Sequence, residues 1–293
     1  MLSAFAATLW LFGPRAAAVL AARLHGHAQR SPPVALDRVT FRSMPAWLQG
    51  PLLLAVARDL QPYLRGETPI LDEDAAVLLQ RRLQDEVAWV LAAQLQRKFP
   101  DRFELQLDLR RPVLLVRWAD GEPLCLLDAT GVAMPPVVLP ELPQTQLLAV
   151  DGNRCPAFRF GQPFPDPRAV AAAAVAVEWR ASILPLVPNC PRLLEVDATN
   201  LGERWVVHPR YPEIRVGLAR ADGQKVMFGY DRSPTSLRAR VPAASKAEVL
   251  LGVLSEHPGL QGLSGGDLRF ARRWRDYLQP STGPDPVGAW TTR

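Results

Sequence analysis

At 293 residues, with 48% apolar and 22% charged residues, the chain has the composition of an ordinary globular protein and room for two modest domains. A net charge of +5, carried on scattered residues such as Arg30, Arg58, Arg102, Arg168 and Arg220, argues against a nucleic-acid face. Cys125, Cys155 and Cys190 are odd in number and lack a CxxC, which excludes a disulfide framework and a cysteine-based metal site.

Met1 to Ala22 is apolar except for Gly13, Pro14 and Arg15 near its centre. A central Arg costs about 2.5 to 3.5 kcal/mol on the insertion scale, and each Leu, Phe or Val returns about 0.3 to 0.6. The segment is therefore a marginal membrane helix, expected as an anchor over residues 1–24. Its charge bias is awkward, because Arg15, Arg23 and Arg30 follow and no cation precedes. An upstream start, a signal peptide and an interfacial helix remain open readings.

A polar connector follows over 25–36, and Val39 to Phe41 is a short candidate strand. Pro51 to Leu64 has a helical stripe of Leu53, Val56, Leu60 and Leu64. Asp72 to Val87 is a second helix, with Asp72, Glu73 and Asp74 at its positive end and Ala76, Leu79, Leu83 and Val87 facing inward. Phe103, Leu105, Leu107 and Leu109 alternate with Glu104, Gln106, Asp108 and Arg110, the period of a half-buried strand. Val113 to Trp118 predicts a strand covered on both faces, Asp120-Gly121 a turn, and Leu124 to Leu127 a third strand of the same antiparallel meander.

Met134 to Pro143 carries four prolines and marks the expected domain boundary. Asp166 caps a helix with Pro167 at its first position, and Val170, Ala174, Val177, Ala181 and Leu184 are expected on its inner face. Short strands are predicted at Leu193 to Val196, Trp205 to Val207, Ile214 to Leu218 and Val226 to Phe228, with a hairpin at Asp222-Gly223. Ser245 to Leu254 is a helix opened by a Ser245/Glu248 capping box and ended at His257-Pro258-Gly259. A strand follows at Asp267 to Phe270, and a polar tail, expected to be disordered, occupies 280–293.

No catalytic constellation emerges. Gly262-Leu263-Ser264-Gly265-Gly266 fits a nucleophile-elbow pattern, but a strand follows it where a helix is required. His208 and His257 lack a second ligand at metal spacing, His25 and His27 lie in the solvated connector, and no phosphate-binding loop occurs.

Arg97, Phe99 and Pro100, then Arg111-Pro112, then Leu127-Asp128 with Gly131 form one ordered set of residues, and Lys246, Pro258, Leu260 and Asp267 to Phe270 form a second. Both sets resemble the bacterial cell-division family of FtsQ and DivIB. Leu139-Pro140-Glu141-Leu142 matches the motif common at that family's domain junction. The resemblance implies an α+β fold: a membrane helix, a POTRA-like β-α-α-β-β module at 37–135, and a mixed helix/antiparallel-sheet β-domain at 136–279. It also implies a non-enzymatic scaffold without cofactors, single-pass in the cytoplasmic membrane at the division septum, with most of the chain outside. Its partners would be small bitopic coiled-coil proteins of the FtsB and FtsL type. The expected binding edge is the last strand, Asp267, Leu268, Arg269 and Phe270, to which interface chemistry adds Trp274 and Tyr277. Rival readings are another POTRA-bearing envelope protein and an envelope enzyme or ligand-binding protein.

Overall fold

A computed structural model describes residues 22–23, 26, 33–35, 38–69, 72–98, 102–147, 157–202 and 212–281. The expected membrane helix, the strand at Trp205 to Val207 and nearly all of the tail lie outside these residues. The fold is α+β, with four α-helices and two mixed sheets among the described residues, and the chain divides into two compact units, Met1–Arg110 and Arg111–Arg293.

In the first unit, β1 (Pro33–Ala35) and β3 (Arg65–Pro69) form an antiparallel ribbon. The main layer is a three-stranded sheet in the order β2 (Val39–Phe41), β5 (Arg102–Leu109), β4 (Val90–Lys98). β2 runs parallel to β5, and β4 runs antiparallel to it with Leu95 opposite Leu105. Helices α1 (Gly50–Leu60) and α2 (Glu73–Glu86) separate β2 from β4 in sequence, so this sheet and its helices run β-α-α-β-β. The alternation along β5 is realised: Phe103, Leu105 and Leu107 are buried, and Leu109 is half-buried. On the other face Glu104 pairs with Lys98 at 3.0 Å.

Both helices form where their apolar stripes lie. Leu52, Ala55, Val56 and Leu60 are buried on α1, which tightens into a 3₁₀ turn ending at buried Leu64. Leu52 takes the place expected for Leu53, which is only half-buried. On α2, Asp72 accepts a hydrogen bond from the Ala75 N–H at 3.1 Å, and Leu79 and Leu83 are buried. Trp89 is fully buried and its indole N–H donates to Asp59 at 3.0 Å, tying α1 to the start of β4.

The expected three-strand meander is broken. β5 belongs to the first unit, whereas β6 (Pro112–Arg117) and β7 (Pro123–Asp128) belong to the second. The boundary therefore falls at Arg110/Arg111, not at Met134 to Pro143. The Arg110 N–H donates to the Trp89 carbonyl at 2.8 Å, which ends the first sheet, and Pro112 then opens a new strand with no N–H of its own. The proline-rich stretch is instead a connection within one sheet, between β8 (Ala133–Met134) and β9 (Gln144–Gln146). β6 is buried from Pro112 to Val116, as its apolar run requires.

The second unit is built on a nine-stranded sheet in the order β14-β13-β12-β11-β10-β9-β6-β7-β8. The remaining strands are β10 (Leu193–Asp197), β11 (Ile214–Ala219), β12 (Lys225–Asp231), β13 (Leu263–Asp267) and β14 (Gln279–Pro280). β9 is parallel to both β6 and β10, and β12 is parallel to β13. Helices α3 (Pro167–Glu178) and α4 (Ala243–Glu256) pack into its core with Val116, Val216 and Phe228.

Turn chemistry appears where the sequence places it. Asp128 is buried and accepts from the Thr130 N–H, the Thr130 hydroxyl and the Val132 N–H at 2.7 to 3.0 Å, and Gly131 takes φ +83° to close the turn. Asp166 caps α3, accepting from the Arg168 N–H at 2.8 Å.

Two helix expectations are corrected. α3 buries Ala169, Ala172, Ala173, Val175 and Ala176, and the stripe expected inside is the outer one, with Val170, Ala174 and Val177 half-buried and Ala181 and Leu184 exposed. Its many alanines leave the phase of the helix open, because an alanine packs on any side. α4 begins at Ala243 after Pro242 without a side-chain cap, so the Ser245/Glu248 capping box is not used. Among the described residues one helical run, Pro167–Leu186, is long and apolar enough to cross a membrane, but half of its most apolar window is buried in the core. It is not at the N-terminus.

Candidate partner-binding edge

The expected edge strand moves in register. β13 spans Leu263–Asp267, and Leu268, Arg269 and Phe270 follow it. It is not an edge, since β12 pairs with it on one side and β14 on the other, with Gly265 opposite Gln279. The sheet ends at β14, two residues long and half proline. The Ser264 hydroxyl lies within reach of the Gln279 and Pro280 carbonyls at 3.2 and 3.1 Å, and the Ser281 N–H donates to Gly262 at 2.9 Å. Pro280 and Ser281, assigned by sequence to the tail, are thus held to the sheet.

The residues expected to bind a partner divide into four groups. Asp267 and Leu268 are core residues, 1% and 0% exposed. The Leu268 N–H donates to the Gly229 carbonyl at 2.9 Å, and a Cβ at Gly229 would stand 2.7 Å from the Asp267 carboxylate, so that close approach needs glycine. Arg269 folds back onto Asp267, its guanidinium donating to both carboxylate oxygens at 2.7 and 2.9 Å. Trp274 is buried against α4, where a Cβ at Gly252 would lie 2.9 Å from its ring. Phe270 and Tyr277 remain half-buried and stack face to face, with centroids 4.1 Å apart and planes 11° from parallel.

Around this stack the surface is basic and aromatic. Arg269 lies over Phe270 at 5.1 Å and Arg275 over Trp274 at 4.5 Å. Arg275 is held by Glu256 and Arg273 by Asp276, both 2.7 Å from Nε. Arg272 is exposed. The arrangement suits the docking of an extended chain on a short sheet edge flanked by a stacked aromatic pair.

The densest group of titratable side chains lies elsewhere, inside the second unit. Glu178, at the end of α3, accepts from the Tyr230 hydroxyl at 2.7 Å, from Arg240 at 2.7 Å and from Lys246 at 3.4 Å. The Lys246 ammonium also sits 3.6 Å above the Tyr230 ring. Lys246 and Tyr230 are fully buried, so no substrate atom reaches them. Burial pulls the Lys246 ammonium below the usual lysine range against the opposing pull of Glu178, and burial followed by Glu178 pushes the Tyr230 phenol far up. This is internal wiring: Arg240 draws the loop after β12 onto the core.

Ser264 lies in β13 with its hydroxyl on backbone carbonyls, not in an elbow. His257 closes α4 with Nδ1 3.3 Å from the Gln261 carbonyl. His25, His27, His208, Phe99, Pro100 and Cys155 lie outside the described residues. Cys125 is buried, and burial pushes the Cys190 thiol up to about 11. Among the described residues no group of three His, Cys, Asp or Glu could hold a metal ion.

Sequence reasoning missed Gln279 and Pro280 as the edge, and Glu178, Tyr230 and Arg240 as a cluster. A proline reads as a breaker, so nothing local marks β14. For the cluster one signal existed: Glu178 is the lone acid of an otherwise apolar helix after its first turn. No protein-family model matches the chain, and no curated protein matches it in sequence.

Proposed function

We propose that the chain is a non-enzymatic scaffold of the FtsQ and DivIB kind, bound to the cytoplasmic membrane with its two units outside, that gathers other division membrane proteins at the septum. The observation that carries this reading is the end of the nine-stranded sheet: a two-residue strand, β14, beside the Phe270–Tyr277 stack and its arginines. A short edge of this kind accepts a strand from another chain by main-chain pairing, and the aromatic and arginine side chains supply the anchors. The β-α-α-β-β order of the first unit agrees with a POTRA-like module, and the resemblance at Arg111-Pro112 and Leu127 to Gly131 adds to it. The partners are then small bitopic coiled-coil proteins.

The test is affinity purification of the full chain from solubilised membranes, with mass spectrometry of what accompanies it. Pro280 is exposed, so Pro280→Lys places a charge on the edge without touching the core. Loss of the co-purifying division proteins at an unchanged melting temperature supports the edge. Their full retention, or the absence of any division protein from the wild-type sample, sinks the reading.

A further inference from the structure

The helical run that starts at Pro167 ends in an unusual way. After Glu178 it widens into a π-turn, Trp179–Ile183, with the Leu184 N–H donating to the Trp179 carbonyl, and then tightens into a 3₁₀ turn, Leu184–Leu186. Ile183 and Val187 are 0% and 2% exposed and anchor this turn in the core. Between them Leu184 and Leu186 are 47% and 51% exposed, and Pro185 and Pro188 are exposed too. Two leucines therefore project from a base that cannot fold them inward, and the prolines stiffen the turn.

The segment that forms the turn carries charge of one sign. From Arg180 to Arg192 the sequence RASILPLVPNCPR contains no acidic residue. Arg180 lies one turn before Leu184, half-buried, and has no carboxylate partner among the described residues. Burial, and after it the charge of Arg111, disfavours the charged form of Arg180, and Arg111 too lacks such a partner. Arg192 donates to the Pro140 carbonyl and pairs with no carboxylate among the described residues. The nearest acid in sequence, Glu178, is engaged by Tyr230, Arg240 and Lys246. Like charges held together without a counter-ion call for an anion from outside, and leucines projecting beside them call for an apolar phase.

We propose that the Leu184–Leu186 turn, with Arg111 and Arg180, is a docking site for an anionic lipid surface: the leucines enter the headgroup boundary and the guanidiniums meet lipid phosphates. An apolar tip flanked by cations is the pattern of interfacial attachment, and each cation near an anionic surface adds to the attraction. The turn would fix how the second unit lies on the membrane, independently of any partner at β14.

The test reads the turn itself, because the apolar N-terminal segment could hold the chain on vesicles unaided. Leu186→Cys in the full chain, with Cys155→Ser, carries an environment-sensitive dye; Cys125 is buried and the raised thiol of Cys190 reacts slowly at neutral pH. Vesicles of phosphatidylcholine with one-third phosphatidylglycerol should shift the emission to the blue. Pure phosphatidylcholine should not, and Arg111→Gln with Arg180→Gln should remove most of the shift while circular dichroism stays unchanged. No shift on anionic vesicles, or an equal shift on neutral ones, overturns the proposal. A shift that grows with protein concentration in the absence of lipid also overturns it, since a protein surface then covers the turn. None of these outcomes bears on partner recovery through β14.

Discussion

In the first unit, Phe103, Leu105 and Leu107 turn alternate side chains of one strand into the core while Glu104 and Gln106 face the other way. In the second, the core also takes in Glu178, Tyr230 and Lys246, a carboxylate, a phenol and an ammonium. The first arrangement rests on neighbours two residues apart. The second joins groups 52, 62 and 68 residues distant, since Glu178 meets Tyr230, Arg240 and Lys246. Apolar burial is close to additive along a strand, whereas a buried charge is tolerable only when every partner is in place.

That contrast can be broken by substitution. Glu178→Gln keeps the volume but takes from Lys246 the carboxylate it is hydrogen-bonded to, and removing one partner of a buried pair costs about 3 to 5 kcal/mol. Urea titration of the full chain should show this as loss of the second unit's transition; a change below about 1 kcal/mol, the size of a single hydrogen bond, would mean that the cluster is loosely held. Leu105→Ala in the first unit should cost about 2 to 5 kcal/mol, the range for a buried leucine. Its effect should be confined to the first unit's transition, and if both transitions shift together the units do not unfold separately.

Smaller effects sharpen the comparison. Gly252→Ala sets a methyl against the Trp274 ring and should cost about 1 to 3 kcal/mol, as overpacking does, with a change in tryptophan fluorescence. Acid titration probes a second charged contact. Burial would raise the Asp197 carboxyl, but Arg215, at 2.6 Å, and the Thr199 hydroxyl and N–H overcome it and hold the carboxyl below its usual value. With the folded value depressed, the contribution is fully present above about pH 4, the unfolded carboxylate's range, and is lost as pH falls through the folded value. Asp197→Asn should flatten the fall of melting temperature with pH below about 4; an unchanged slope would remove Asp197 from the account. Gln106→Ala, on the outer face of β5, should cost under about 0.5 kcal/mol, and a loss like that of Leu105→Ala would mean the strand faces are reversed.

Phe270 and Trp274 show why the candidate site was only partly legible. The sequence places Phe270 at a surface as the end of the last strand, and Trp274 there as an aromatic among arginines. Trp274 instead fills the space left by Gly252 on α4, and Phe270 stacks on Tyr277. Gly252 and Trp274 are far apart in sequence, and a glycine inside a helix does not announce the ring that will occupy its missing side chain. β14 was illegible for a similar reason: two residues, one of them proline, carry no periodicity, and they form a strand only because β13 offers free backbone groups and Ser264 a hydroxyl.

What the sequence determined by itself is local. The period-two row of β5, the stripes of α1 and α2, the Asp166-Pro167 start of α3 and the Asp-Gly turns follow from side-chain spacing, from the left-handed φ that glycine tolerates, and from an aspartate's reach to nearby N–H groups. Tertiary structure decided the rest: the break between units at Arg110/Arg111, the insertion of β9 between β6 and β10, the outward stripe of α3, and the meeting of Glu178 with Tyr230, Arg240 and Lys246. Backbone hydrogen bonds between strands are chemically alike, so which strands pair is settled by competition among distant segments for the same core.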